Sequence, residues 1–277
     1  MQIGDISFRE RPVFLAPMED VSDPPFRILC KEFGADLLYT EFISVGGLVY
    51  SAEDSVRKLK FRKEERPIAV QIFGGDLDQV REAMPIVVRA EPDIIDINFG
   101  CPVKKVVRND AGAAVLRDLD KMRQITEIVL EEADRPVTVK TRLGWDRESI
   151  RILEVVRMLE DLGVRAIAVH ARTRCQMYRG EADWSWLRRI REEGGLRIPL
   201  IGNGDAHTPE KILAMFEETG VDAVMVGRGA IGNPWIFRRA RALLDGGEPP
   251  PEPTWAERIR MVSRHLILKC EWLGERK

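Results

Sequence analysis

The chain has 277 residues, 44% of them apolar, enough to bury one large core with room for a small appendage. Apolar runs are never long enough to cross a bilayer, and the opening MQIGDISFRERPV lacks the apolar centre of a secretion signal, so the cytoplasm is the default location. Four cysteines scattered at 30, 101, 175 and 270 give neither a disulfide framework nor metal-ligand spacing, so no metal is expected, and a net charge of −2 neither announces nor excludes a nucleic-acid partner.

Eight short β-rich runs follow in order: VFLAPM (13–18), LLYTEF (37–42), IAVQIF (68–73), IIDINF (94–99), VTVKTR (137–142), AIAVHAR (166–172), PLIGNGD (199–205) and AVMVGR (223–228). Helix-patterned or loop segments separate them. Residues 149–162 carry apolar positions at helical spacing and stop before Gly163. TPEKILAMFEET opens on Thr208 as N-cap with Pro209 at the first helical position, and Gly220 lies just past its end. Eight strand–helix units predict a closed TIM (β/α)8 barrel rather than an open doubly wound sheet.

The stretch 227–232, GRGAIG, formally matches a dinucleotide fingerprint. No strand with an acid for the ribose follows it, so the Rossmann reading is rejected. The expected organisation is a catalytic barrel over 1–245, a Gly/Pro-rich linker over 246–253, and a basic helix over 254–277. That helix holds Arg258, Arg260, Arg264, Lys269, Arg276 and Lys277 against three acids. A lone helix is a poor domain, so further helices are expected beyond it.

Barrel enzymes place their chemistry at the C-terminal ends of the strands. Those ends are unusually polar here: Pro17 and Met18, Gln71, Asn98 and Cys101, Lys140 and Arg142, His170 and Arg172, Asn203 and Asp205, and Arg228. Gly100-Cys101-Pro102 sets a thiol at a strand mouth, followed by a mobile basic loop with Lys104, Lys105 and Arg108. On that tripeptide alone, a proton-exchanging thiol and a buried packing cysteine stand equally open. An unpaired interior lysine is rare, which favours a functional Lys140. The glycine-rich ends at 202–204 and 227–229, with Arg228 between the last pair, form a candidate phosphate site. A phosphate site, an interior lysine and glutamine and no metal cluster fit FMN, with Lys140 offsetting charge on the reduced ring and Gln71 meeting its carbonyl edge.

These residues resemble the tRNA-dihydrouridine synthases, and within them the bacterial B-type branch, from Ile3 to the end of the chain. The resemblance rests on APMEDVSDPPFR, DINFGCPVKKVVRNDAGAAVL, VTVKTRLGW, HARTRCQMYRGEADW, IGNGD and VGRGAIGNPWIF, in the family's order. It implies an FMN barrel that reduces the uracil double bond in tRNA with electrons from NADPH. It places Pro17, Met18 and Glu19 against the flavin, and Gln71, Lys140 and His170 at its ring. Asn203, Gly204, Asp205, Gly227 and Arg228 would hold phosphate and ribityl groups. Cys101 would be the general acid and Asn98 would hold the uracil. Lys104, Lys105, Arg108, Arg142 and Arg172 are candidates for contacting the RNA, with Arg174, Arg179 and the terminal helix in support. Glu19-Asp20 depart from the small residues often found there, so Glu19 is a less secure backbone contact, and the family's helical domain shows only its first helix. Cys30, Cys175 and Cys270 read as packing or bystander thiols. A dihydroorotate-dehydrogenase-like flavin barrel would explain the phosphate loops but not the basic segments, and an RNA-binding module with incidental redox chemistry is the reading from another class.

Overall fold

The computed structural model describes residues 1–274. Eight parallel strands form the wall: β1 (Val13–Leu15), β2 (Leu38–Tyr39), β3 (Ile68–Phe73), β4 (Ile94–Asn98), β5 (Val137–Arg142), β6 (Ala166–His170), β7 (Leu200–Asn203) and β8 (Ala223–Val226). From β2 onward each pairs with the next, a short strand at Ile43–Ser44 adds to β3, and β8 pairs with β1 through Val224 opposite Val13. The circle closes where the Leu15 N–H donates to the Leu37 carbonyl at 2.9 Å and the Asp36 N–H to the Val13 carbonyl at 2.9 Å. The expected barrel is the barrel found. The predicted runs shorten by up to four residues, because their last residues leave the ladder to build the site.

Strand alternation divides each run between the outer helices and the barrel lumen. The lower lumen is apolar: Phe14, Leu37, Ala69, Ile94, Ala166, Ala168, Ile201, Ala223 and Met225 pack as one cluster. An N-terminal hairpin, Gln2–Ile3 with Ile6–Ser7, sets Ile3 beneath this layer and closes the bottom. Two residues further up the same strands the lumen turns polar, with Gln71, Asp96 and Thr138 all buried.

The helices end as their sequences dictate. The helix Pro209–Thr219 is capped by the Thr208 side chain, which accepts from the Lys211 N–H, and leaves through Gly220 at φ +67°. The helix Ile152–Leu162 leaves through Gly163 at φ +104°. The helix Trp255–Leu273 opens on a capping box, Thr254 with Glu257. It lies against the first barrel helix, Pro24–Glu32, with Leu268 buried against Ile28 and Leu29. Arg264 pairs with Glu32 at 2.9 Å, Lys269 with Asp23, and Arg62 reaches Glu271 at 3.4 Å. Two of the cations expected to meet RNA therefore bind the helix to the barrel. Arg276 and Lys277 lie outside the described residues. The opposite face exposes Trp255, Ile259, Val262 and Leu266.

Candidate active site

The upper lumen opens into a cavity of about 730 Å³, within the range of small-molecule and cofactor sites. Seven of the eight strands, all but the third, send residues or their following loops to its wall, including Pro17, Met18, Asn98, Cys101, Lys140, His170, Asn203 and Gly227. Lys140 stands opposite Asn98 in the β4–β5 register, and Asn203 opposite His170 in the β6–β7 register, so parity alone aims these side chains at one space.

Cys101 lies three residues past the end of β4, and its backbone is pinned on three sides. Asn98 Oδ1 accepts from the Gly100 N–H at 2.9 Å and the Cys101 N–H at 2.8 Å. Arg142 Nε donates to the Gly100 carbonyl at 2.7 Å. The Ala113 N–H donates to the Cys101 carbonyl at 3.0 Å. Gly112 permits this approach: at φ +57° a Cβ would stand 2.9 Å from the Cys101 carbonyl oxygen. Around Cys101 lie Phe42, Phe73, Val106 and Ala111. Burial raises the thiol above its ordinary range, against the opposing pull of the Val103 N–H and Arg142, and so keeps it protonated at neutral pH. The cysteine is buried, and it lines the cavity.

Lys140 Nζ donates to Asn203 Oδ1 at 3.3 Å, and Asn203 Nδ2 donates to the Met225 carbonyl at 2.8 Å. Burial, then Arg142, lowers the lysine to about 8, with Asp96 pulling the other way. His170 is held neutral, well below its ordinary value, by burial and by Arg142, Lys140 and Arg172. Arg172 Nη1 lies 3.3 Å from His170 Nε2, and a guanidinium can only donate, so Nε2 accepts and Nδ1 carries the proton.

Arg172 also binds both oxygens of Asp205 at 2.8 Å and the Gly180 carbonyl at 2.6 Å. Burial pushes the Asp205 carboxyl up, but the Ala182 N–H and Arg172 outweigh it and hold it low. Arg142 donates to the carbonyls of Thr173 and Met177, at 3.1 and 2.9 Å. Burial lowers it to about 10. The reading of Arg142 and Arg172 as RNA contacts is corrected to this extent: both are buried and commit most donors to protein acceptors, bracing the loops after β4, β6 and β7.

Gln71 needs a second correction. It does not line the cavity but lies fully buried beneath it, its amide engaged by Asp96 and Asn98 at 2.6 and 2.7 Å. The basic loop is a third: Lys104–Val107 is a one-turn helix, with Lys104, Lys105 and Arg108 exposed outside the cavity wall. At the rim, Glu19, Asp20 and Glu41 bring carboxylate oxygens within 4.8 Å of one another. Lys58 Nζ reaches two of them, 2.5 Å from Glu19 and 3.7 Å from Glu41, so one ammonium already offsets part of their charge.

Tyr178 was not singled out from the sequence. It lines the cavity between the guanidiniums of Arg228 and Arg142, 5.0 and 5.6 Å from its ring centre, and 6.2 Å from the His170 ring. Its one signal was its place inside HARTRCQMYRGEADW. Trp184, from the same segment, donates from Nε1 to the Gly204 carbonyl at 2.9 Å. Gly204 itself, at φ +120°, has no room for a side chain: a Cβ would stand 2.8 Å from Ala182 Cβ.

Among solved structures, an amine oxidase acting on 6-hydroxypseudooxynicotine from Pseudomonas geniculata superposes with a TM-score of 0.66 at 13% identity, over 89% of this chain and 49% of that one. A 2-naphthoyl-CoA reductase gives 0.66 at 10%, over 89% and 52%. The chain spans about half the length of these structures, and they bear on its fold alone. Curated relatives are much nearer. tRNA-dihydrouridine synthase B of Pasteurella multocida is 39% identical over 277 residues, 100% of this chain and 82% of that protein. The Pseudomonas putida protein of that name is 40% identical over 275 residues, 99% and 81%, and the Escherichia coli protein 38% over 277, 100% and 85%. With the dihydrouridine synthase family model matching residues 14–277 as well, the chain belongs to the dihydrouridine synthase family.

Proposed function

We propose that this protein reduces the carbon 5–carbon 6 double bond of uridines in tRNA in the cytoplasm, with FMN as hydride carrier, NADPH as reductant and Cys101 as general acid. The observation that carries this reading is the Cys101 thiol, kept protonated by burial and facing the same cavity as Lys140 and His170.

The cavity's residues fit FMN. Buried or half-buried cations, Lys140, Arg142 and Arg172, outnumber the carboxylates on its wall, so the space favours an anionic guest. Gly204 and Gly227 bring bare backbone to its edge, as close approach of a phosphate requires. Arg228 stands more than half exposed, 3.5 Å from Asp205, free to turn toward an anion while Asp205 stays paired with Arg172. Pro17 and Met18 would bound the ring, and Lys140 and the His170 Nδ1–H would donate to it. When bound, FMN supplies the hydride for carbon 6.

The chain supplies the other hydrogen. The Cys101 S–H bond breaks, its proton goes to carbon 5, and the thiolate left behind lies beside Arg142 and Lys140 until solvent reprotonates it. Uridine thereby gains a hydride and a proton, two hydrogens in all. Asn98, its carbonyl oxygen engaged by backbone, retains an amide hydrogen for the uracil edge. A uracil must leave its stack to reach the barrel mouth, at a cost of a few kcal/mol. Exposed Lys104, Lys105, Arg108, Arg179 and Arg260 would offset that cost by contacting phosphates.

The direct test incubates the protein with NADPH and unmodified tRNA transcript, then digests the RNA to nucleosides for mass spectrometry. A uridine heavier by two hydrogens is expected. A yellow protein that oxidises NADPH and leaves every uridine unchanged would overturn the assignment of substrate.

A further inference from the structure

Asp96 lies at the centre of the lumen, fully buried and outside the cavity wall. A carboxylate there needs a reason, because burial without partners is costly. Its partners run in one direction. The Gly100 and Cys101 N–H groups donate to Asn98 Oδ1, and Asn98 Nδ2 donates to Gln71 Oε1 at 2.7 Å. Gln71 Nε2 then donates to Asp96 Oδ2 at 2.6 Å, and Thr138 Oγ1 to Asp96 Oδ1 at 2.5 Å.

The polarity of this chain is dictated at both ends. Backbone N–H groups can only donate, so Asn98 must turn its oxygen to them and its amino group to Gln71. An ionised carboxylate can only accept, so Gln71 must turn its amino group to Asp96 and its oxygen to Asn98. Each amide thereby has one orientation that satisfies both neighbours, and each bond polarises the next. Thr40 Oγ1 accepts the Gln71 N–H at 3.1 Å and fixes the backbone at the relay's midpoint.

We propose that Asp96 is a positioning residue for the proton-donating turn: as the terminal acceptor of the relay through Gln71 and Asn98, it sets the orientation of Asn98 and so holds Cys101 at the cavity. The inference rests on the reading of Cys101 as proton donor, but its central claim is geometric and can be tested without turnover. A competing role for Asp96 is purely electrostatic, as the buried counter-charge to Lys140, which stands diagonally across on β5. The two roles part company at Asp96→Asn. An asparagine can still present oxygen to Gln71 while its amino group donates to the Thr138 hydroxyl, so the relay survives and the charge does not.

The experiment measures iodoacetamide alkylation of the flavin-loaded protein, read peptide by peptide by mass spectrometry. Exposed Cys175 and Cys270 report reagent activity, and buried Cys30 reports general unfolding. Asp96→Leu, which removes the acceptor at similar volume, should raise the Cys101 rate about fivefold or more by loosening the turn, with Cys30 still protected. Gln71→Met, which cuts the relay one step later, should do the same, and Asp96→Asn should stay within about twofold of the parent. In the two relay-cutting variants, RNA reduction should fall more than flavin reduction by NADPH. An unchanged Cys101 rate in Asp96→Leu would overturn the proposal. So would Asn and Leu variants that behave alike, which would assign Asp96 to charge. Should Asp96→Leu also open Cys30, Gln71→Met decides alone, and an unchanged Cys101 rate there overturns the relay.

Discussion

The lower and upper lumen of this barrel are built by the same strands, often two residues apart, on opposite principles. Below, Ile94, Ala69 and Ala166 fill space with apolar surface and ask nothing of their neighbours. Above, Asp96, Gln71 and Lys140 continue the same inward-facing rows, and each must find a partner of complementary hydrogen-bonding sense. The lower layer holds one titratable group, Tyr39, whose phenol burial pushes up. The upper layer carries the displaced proton affinities: Asp96 raised to about 6, Lys140 lowered to about 8, and His170 held neutral. Burial is the first cause of all three shifts, so the layer that seals the barrel also tunes the chemistry above it.

The sharpest contrast comes from one substitution in each layer. Cys101→Ala removes the proton donor and should lower RNA reduction by about 10²–10⁴-fold, the usual worth of a positioned acid. Flavin content and flavin reduction by NADPH should be unchanged, which separate half-reaction measurements would show. Equal loss in both half-reactions would mean a damaged site rather than a missing proton. Ile94→Ala, below, should cost about 2–5 kcal/mol of stability. Its turnover per folded molecule should stay near the parent's, as denaturation curves and active-flavin titration would establish. A loss of turnover without a loss of stability would break the division between the layers.

A third prediction concerns pH. Lys140 carries its charge below about 8, and the lowered value brings the loss of that charge into the accessible range, so a step that uses the ammonium should weaken as pH rises through about 8. Flavin reduction by NADPH should show that limb, and Lys140→Arg, which stays charged, should lose it even if its rate is about tenfold lower. A limb that survives in Lys140→Arg belongs to another group.

Most of the lower layer was legible in sequence, because strand parity and apolar runs are local properties. The helix 209–219 was legible for the same reason, its Thr208 cap and Gly220 exit lying within one segment. The upper layer was legible as a set of residue types but not as a set of bonds. That Lys140 and His170 share a space follows from parity, whereas Gln71 turning sideways to Asp96 depends on the register between β3 and β4. The cations of the terminal helix were misread for a related reason: Arg264 and Lys269 meet Glu32 and Asp23 from more than 230 positions away. The single turn at Lys104–Val107 is too short to show a helical period at all.

The smallest predicted effect lies outside both layers. Lys104, Lys105 and Arg108 are exposed and show no ion pair among the described residues, in contrast to the braced Arg142 and Arg172. If they meet phosphates, each should add about one unit to the slope of log affinity against log salt. Lys104→Ala alone should then weaken tRNA binding only about two- to fivefold at moderate salt, without touching flavin reduction or Cys101 alkylation. The triple variant should flatten the salt dependence by about two to three units. Because these residues are exposed and do not line the cavity, an effect on flavin reduction would mean that the basic turn and the Cys101 turn move as one body. The Ala111 and Val106 contacts to Cys101 are the physical route by which that would happen.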